Sequence, residues 1–301
     1  MTLDWLFFAV ASYAVYAAVI TLDKINLTKW FKNPANYIVL FSFIQALTLA
    51  GVIFWGYKPP QPWVAAAGLA AGATTFFSYI AYAKAMQAEE ASRVSLLTQL
   101  TPLFTLLLAF TFLGERLNTT MILSFALLLA SGLIASIKPI QGRPLKPSPA
   151  IPVMLFVTFL YAVSAVLAKL VFTHQEFWDG FVEIRLGILA AALAFLSIKP
   201  FRQKFLREAR SLPRKSIAAA VSVSAGDVAA AALSQYAIML GPVSVIAALS
   251  GLTPFFVIAI AAALSIKFPQ AMKEEVTPSA LAFKATAAAL AASGLWLLAT
   301  A

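Results

Sequence analysis

The chain has 301 residues, of which 61% are hydrophobic and only 11% are charged, and its formal net charge is +10. Soluble domains carry about 25% charged residues, so this composition excludes an ordinary soluble domain and fits a protein whose solvent is a lipid bilayer. There is no cysteine and a single histidine, His174, so we expect no disulfide, no metal site and no cofactor. Basic residues flank membrane helices on the cytoplasmic side, which accounts for the positive charge without nucleic acid as a partner.

Apolar stretches of about the length that a helix needs to cross a bilayer, roughly 20 residues, recur ten times along the chain. In chain order, spans one to ten are predicted at Leu3–Leu22, Tyr37–Trp55, Trp63–Met86, Ser92–Leu113, Thr119–Ile137, Ile151–Phe172, Phe181–Ile198, Ile217–Leu240, Val243–Ile266 and Thr277–Ala299. The sequence therefore predicts an all-α integral membrane protein with ten transmembrane helices.

Short matching stretches recur in the same order in the two halves of the chain. YAAVITLDK at 16–24 resembles YAVSAVLAK at 161–169, and TQLTPLF at 98–104 resembles SGLTPFF at 250–256. Because five is an odd number, a second set of five helices must enter the membrane from the opposite side, which gives the inverted repeat of many secondary transporters. The resulting domains are a first five-helix repeat at 1–140, a linker at 141–150 and a second, inverted repeat at 151–301.

Residues 82–117, YAKAMQAEEASRVSLLTQLTPLFTLLLAFTFLGERL, resemble the EamA-type repeat of the drug/metabolite transporter superfamily. The resemblance rests on a Tyr- and Ala-rich end of span three, a central proline in span four, and the pair Gly114-Glu115 after it. The second half is a looser match, since the corresponding pair reads Ile266-Lys267. The resemblance implies a carrier of small metabolites, often an exporter of amino acids. It also implies a central cavity lined by spans one, three, four, six, eight and nine.

The distribution of basic residues predicts the orientation in the membrane. Of the 22 Lys and Arg residues, 18 lie nearest the loops that follow the odd-numbered spans, and the other side receives Lys58, Arg116, Lys169 and Arg185. The positive-inside rule then places the basic loops in the cytoplasm and both termini outside, in a multi-pass protein of the plasma (inner) membrane. The family resemblance implies the reverse, with both termini inside. We take the charge bias as the prediction.

Asp227 is the most unusual residue for a membrane span, because it is a carboxylate within the otherwise uncharged run SVSAGDVAAA at 222–231. It is about eleven residues into span eight, which at 1.5 Å per residue puts it roughly 15 Å deep, near the midplane. Ser224 and Ser234 share its helix face. A charge at that depth is costly unless it faces a cavity or a partner. We expect a cavity carboxylate that binds a substrate amine or a proton; the alternative is a buried ion pair or a hydrogen-bonded helix contact.

Aromatic and hydroxyl residues on the neighbouring predicted spans could complete a polar cavity wall around Asp227. They could equally serve as helix–helix contacts, for which Ser and Thr are common in membranes. The candidates for substrate or proton binding are Tyr16, Tyr79, Tyr82, Thr98, Gln99 and Tyr161, together with Asp227, Ser224 and Ser234.

Two residue pairs match between the halves and are candidates for moving parts. Pro102 and Pro254 each lie mid-span and remove a backbone hydrogen bond, which predicts a kink or hinge in spans four and nine. Lys24 and Lys169 lie near the ends of spans one and six, either as gate cations or as lysines that snorkel to the interface. The charged residues near the predicted start of span seven, Glu183 and Arg185, are expected at the membrane interface.

The sequence favours a secondary transporter that moves a small polar or amphipathic metabolite by alternating access. Amino-acid-like solutes and export are favoured; metabolite uptake or exchange is the alternative. The expected partners are a small-molecule substrate, the lipid bilayer and, for coupling, a proton. Two further classes remain open. An intramembrane aspartyl-type enzyme would need a second aspartate facing Asp227, and a membrane scaffold would not need Asp227 at all.

Overall fold

The computed structural model describes residues 4–31, 33–51, 56–88, 97–136, 150–257, 259–260 and 278–300. Every regular element among them is helical, which confirms the all-α expectation for this part of the chain. The helices are α1 (Asp4–Lys29), α2 (Pro34–Ala46), α3 (Pro62–Ala88), α4 (Thr101–Leu113), α5 (Thr119–Ser136), α6 (Ala150–His174), α7 (Phe177–Ser197), α8 (Lys199–Ala209), α9 (Arg214–Leu240), α10 (Val243–Ala248) and α11 (Pro278–Thr300). Short 3-10 segments follow α2 at Leu47–Gly51 and α10 at Leu249–Leu252.

Six helical segments are long and apolar enough to cross a membrane. They are Asp4–Asp23, Pro34–Gly51, Pro62–Ala85, Ile151–His174, Phe177–Ser197 and Arg214–Leu240. Four shorter apolar helices accompany them among the described residues: Thr101–Leu113, Thr119–Ile134, Val243–Val257 and Ala285–Leu298. Each of the ten predicted spans thus contains an apolar helical segment. Helices of this length and composition can cross a bilayer because they satisfy their own backbone hydrogen bonds. Several such helices in one chain indicate a multi-pass membrane protein.

The two mid-span prolines lie next to local changes in helix geometry. Pro102 is the second residue of α4, after a turn at 99–100. Pro254 is the second residue of the helical stretch 253–257, after the 3-10 segment Leu249–Leu252. Proline is well accommodated in the first turn, where the amide hydrogen has no intrahelical partner. The helix geometry thus changes just before each proline: a turn precedes Pro102, and a 3-10 segment precedes Pro254 within the apolar helix Val243–Val257.

Helices α3 and α7 cross in close contact, with a glycine of each helix at the crossing. A Cβ at Gly72 would collide with the backbone of α7 at Ile184 and Ile188, and a Cβ at Gly187 would collide with the backbone of α3 at Leu69. Small residues allow such close approach of membrane helices. Helix α3 also packs along α6, where Thr75 Oγ1 and Ser164 Oγ are 2.7 Å apart. These contacts hold α3 against two helices of the second half.

Candidate functional site

Asp227 is at the centre of α9 and is buried, with 4% of its surface exposed. Its Oδ2 atom accepts a hydrogen bond of 2.6 Å from Gln45 Nε2 on α2, and its Oδ1 atom accepts one of 3.4 Å from the Tyr79 hydroxyl on α3. The carboxylate therefore has an amide and a phenol as hydrogen-bond partners. Three helices meet at this one side chain.

Arg185 joins the same network through Gln45. Its Nη1 atom donates to Gln45 Oε1, and its guanidinium lies 4.6 Å from the centre of the Phe181 ring. Gln45 thus links the cation to the carboxylate of Asp227. Arg185 Nε and Nη2 are buried and have no hydrogen-bond partner among the described residues. A carboxylate and a guanidinium with free donors lie within one buried cluster.

The expectation that Glu183 and Arg185 are interfacial is wrong. Both are 3% exposed, because they pack against neighbouring helices, and α7 begins at Phe177, about one turn before the predicted span. Arg185 then lies eight residues, roughly 12 Å, along the helix. Glu183 packs against α3 at Gly68, where an added Cβ would lie 2.6 Å from the Glu183 Cβ. Sequence reasoning also missed Gln45, although a lone amide in an apolar run is a signal of the same kind as Asp227.

Three of the predicted tyrosines surround this cluster. The rings of Tyr79 and Tyr161 meet edge to face with centroids 6.1 Å apart. Tyr16 and Tyr161 are near enough to interact electrostatically with Asp227. Tyr82 lies one turn further along α3 and packs in a small apolar cluster with Met154 and Tyr161. The structure brings Tyr79 into hydrogen-bond contact with the carboxylate, Tyr161 packs on the Tyr79 ring, and Tyr82 belongs to the same apolar cluster as Tyr161.

The remaining predicted binding residues are not in contact with Asp227 through any described hydrogen bond. Ser224 is fully buried, and its hydroxyl has no hydrogen-bond partner among the described residues. Ser234 and Thr98 are half-buried. Gln99 is buried against Gly132 of α5 and Gly251, since a Cβ at Gly132 would lie 2.5 Å from Gln99 Oε1. Gln99 therefore packs where α5 meets the second half.

Lys169 caps a helix. Its Nζ atom donates to the carbonyl oxygens of Ile238, Met239 and Gly241, at 2.8, 3.2 and 2.9 Å. These carbonyls end α9, where the helix dipole favours a cation. The side chain of its counterpart, Lys24, lies outside the described residues.

Glu115, in the Gly114-Glu115 pair, reaches across to the second half. Its carboxylate accepts from the backbone amides of Val243 at 2.9 Å and Ser244 at 3.2 Å, and from the Ser244 hydroxyl. These amides open α10, so a first-half carboxylate caps a second-half helix. Trp5, near the start of α1, packs on Gly241 in the same region. We call these contacts of Glu115 and Lys169 the end seal.

Comparison with known proteins agrees with the class that the apolar helices and buried charges define. The EamA-like transporter family model matches residues 3–137, a little under half of the chain. The match confirms the resemblance to the drug/metabolite transporter superfamily and places the protein among membrane transporters of small solutes. A search of curated proteins finds no match to the sequence.

Solved structures resemble the chain over its whole length. One crystal structure, described only as that of a protein, covers 99% of this chain and 95% of its own, with a TM-score of 0.68 and 17% identity. At that identity the likeness shows the fold alone. It extends over the second half, which the family model does not match.

Proposed function

We propose that the protein is a secondary transporter that exports a small polar or amphipathic metabolite, amino-acid-like in its chemistry, by alternating access. The observation that carries the proposal is the buried network of Asp227, Gln45 and Arg185. Ionisable groups at membrane depth are costly and typically mark substrate or ion pathways. Here the two charges come from α7 and α9, and α2 of the first half supplies the amide between them.

The free donors of Arg185 support an amino-acid-like solute. A guanidinium whose Nε and Nη2 atoms have no partner among the described residues suits a carboxylate, which it can bind through two parallel hydrogen bonds. Asp227 suits an ammonium group. A zwitterion that entered between them would compensate both charges, and Gln45 would be free to turn toward the solute.

The helix pairing supports an inverted repeat of ten spans. Helix α3 packs along α6, and α9 packs along α1, as expected when the first and third helices of one half exchange places with those of the other. The irregular segments before Pro102 and Pro254 lie at corresponding places in the two proposed repeats. Discontinuous helices at matching positions are a feature of secondary transporters with this architecture. The repeats are 1–140 and 151–301, with the linker between them.

The end seal supplies one gate for alternating access. Glu115 holds the start of α10 in the second half, and α10 leads into the 3-10 segment before Pro254. If Glu115 let go of the amides of Val243 and Ser244, the start of α10 could move away from α4. The irregular segments before Pro102 and Pro254 would then act as hinges. Lys169 keeps the end of α9 ordered during the movement.

We infer from the charge bias that both termini face outward across the plasma (inner) membrane. A reporter enzyme fused after Ala301 and active only outside the cytoplasm should then be active, and a fluorescent protein that matures only in the cytoplasm should stay dark. Bright fluorescence would reverse the orientation.

The alternatives have different requirements. Uptake or exchange would use the same site with the opposite gradient. An aspartyl-type enzyme would need a second carboxylate on Asp227, whereas the described partners are Gln45 and Tyr79. A scaffold would leave the buried charges without a role.

Flux into liposomes tests the proposal. The purified protein is reconstituted into vesicles loaded with unlabelled amino acids, and entry of labelled amino acids, simple amines and carboxylates is followed, with and without a proton gradient. We expect saturable counterflow of zwitterions above that of protein-free vesicles. Flux of amines alone would reject the role of Arg185, and no saturable flux of any solute would reject transport.

A further inference from the structure

Helix α8 lies outside the set of apolar helices. It has eleven residues, KPFRQKFLREA, between the end of α7 and the start of α9. At 1.5 Å per residue it is about 16 Å long, too short to cross a bilayer, and it is rich in charge. Helix α8 connects the end of α7 to the start of α9, and both of these helices are long and apolar enough to cross a membrane. A short polar connection between two spans belongs at the level of the lipid headgroups.

One face of α8 is fixed to the protein body. Phe201 stacks on Phe195 of α7 with ring centroids 4.3 Å apart and planes 14° apart, and Phe205 packs against Phe43 of α2. Glu208 accepts hydrogen bonds from the Asn33 amide at 3.4 Å and from Asn36 Nδ2 at 2.5 Å, at the start of α2. The acidic side chain of the helix is therefore turned inward.

The opposite face is cationic and exposed. The exposed basic residues of α8, of the turn after it and of the start of α9 are Lys199, Arg202, Lys204, Arg207, Arg210, Arg214 and Lys215. An apolar side chain lies among them, since Leu206 is 44% exposed. With the aromatic contacts fixing the roll of the helix, Lys199, Arg202, Arg207 and Arg210 lie on the side away from the protein body, and Lys204 lies at the edge of that side, one turn before Glu208. We call the exposed basic residues the α8 cationic face.

We propose that the α8 cationic face binds the headgroups of anionic phospholipids. Amphipathic helices with basic polar faces lie in the interface plane, and each basic residue near an anionic surface contributes roughly 1 kcal/mol. The spans on both sides hold α8 at the depth of lipid phosphates, which favours lipid over a soluble polyanion. Leu206 would reach the acyl boundary between headgroups. Bound lipid would tie α8 to α2, α7 and α9, the helices that carry Gln45, Arg185 and Asp227.

The test measures lipid binding by the purified full chain. Labelled phosphatidylglycerol or phosphatidylcholine is titrated into the protein in a non-ionic detergent, and thermal unfolding is followed in nanodiscs of phosphatidylcholine alone or mixed with phosphatidylglycerol. We expect binding and stabilisation by phosphatidylglycerol only, both lost in high salt. The variant Lys204→Gln/Arg207→Gln should bind it at least about tenfold more weakly, because two cations are removed.

The control removes two exposed cations from other places. Lys58 lies beside the start of α7, since its backbone amide donates to Asp179, and Arg116 follows Glu115 in the end seal. Lys58→Gln/Arg116→Gln should bind the lipid as the unmodified protein does. Equal weakening by both variants would reject a specific face, and equal protection by inorganic phosphate would assign the site to a free anion. If phosphatidylglycerol neither binds nor stabilises the unmodified protein, the proposal fails whatever the transport assay gives.

Discussion

Helices α3 and α9 correspond to the third predicted span of each half, and both have 27 residues, but their central glycines have different surroundings. A Cβ added at Gly72 of α3 would meet the backbone of α7, whereas one added at Gly226 of α9 would meet only a methyl group of Val19. One residue further, α3 has the half-buried Ala73 and α9 has Asp227 in its polar network. The two helices therefore differ in what they contribute: α3 supplies tight backbone packing, and α9 supplies the buried carboxylate.

The largest expected effect concerns the two glycines. Gly72→Ala places a Cβ against the backbone of Ile184 and Ile188, which cannot turn aside, so α3 and α7 must separate. We expect a loss of about 1–3 kcal/mol of stability and less folded protein, in line with overpacked sites. Gly226→Ala, its matched control, meets a side chain that can shift, and should lose less than about 1 kcal/mol. Thermal unfolding in detergent measures both, and equal losses would contradict the comparison.

A smaller effect is expected at the end seal, where the halves also differ. Glu115 has a lysine, Lys267, at the corresponding place in the second half. Glu115→Gln retains an acceptor for Ser244 but removes the charge at the start of α10, so we expect a loss of about 1 kcal/mol. We also expect easier opening at that end, seen as faster labelling of a cysteine introduced at Trp5. Unchanged stability and labelling would mean that the carboxylate does not hold the gate.

The smallest effect is expected where the halves agree. A turn precedes Pro102 and a 3-10 segment precedes Pro254, so Pro102→Ala and Pro254→Ala should each let a regular α-helix extend through the site and stiffen the hinge. Folding should persist, with transport slowed by a factor of about two to five in each variant and by more in the double variant. Transport at the original rate in all three variants would remove the hinge role.

The sequence predicts more of the fold than of the site. A bilayer forces apolar runs into helices, so the helical segments follow from composition, and a charge such as Asp227 is conspicuous against that background. Its partners depend on tertiary packing: Gln45 is 182 positions away, and the two lie together only because α2 packs on α9. Hydrophobicity alone predicts that span seven begins at Phe181, which places Arg185 near its end. The helix begins at Phe177, with Asp179 in its first turn, so Arg185 lies deeper along it.

The central claim is that Asp227 serves transport and not only helix contact, and Asp227→Asn tests it most directly. The asparagine can still accept from Gln45, so the protein should fold and insert while losing the charge that faces the solute. With equal amounts of protein in liposomes, we predict counterflow of zwitterions reduced at least about tenfold. Asp4→Asn, the same change at an exposed residue at the start of α1, should transport normally. Normal transport by Asp227→Asn together with a lower unfolding temperature would contradict the account and make Asp227 a structural partner.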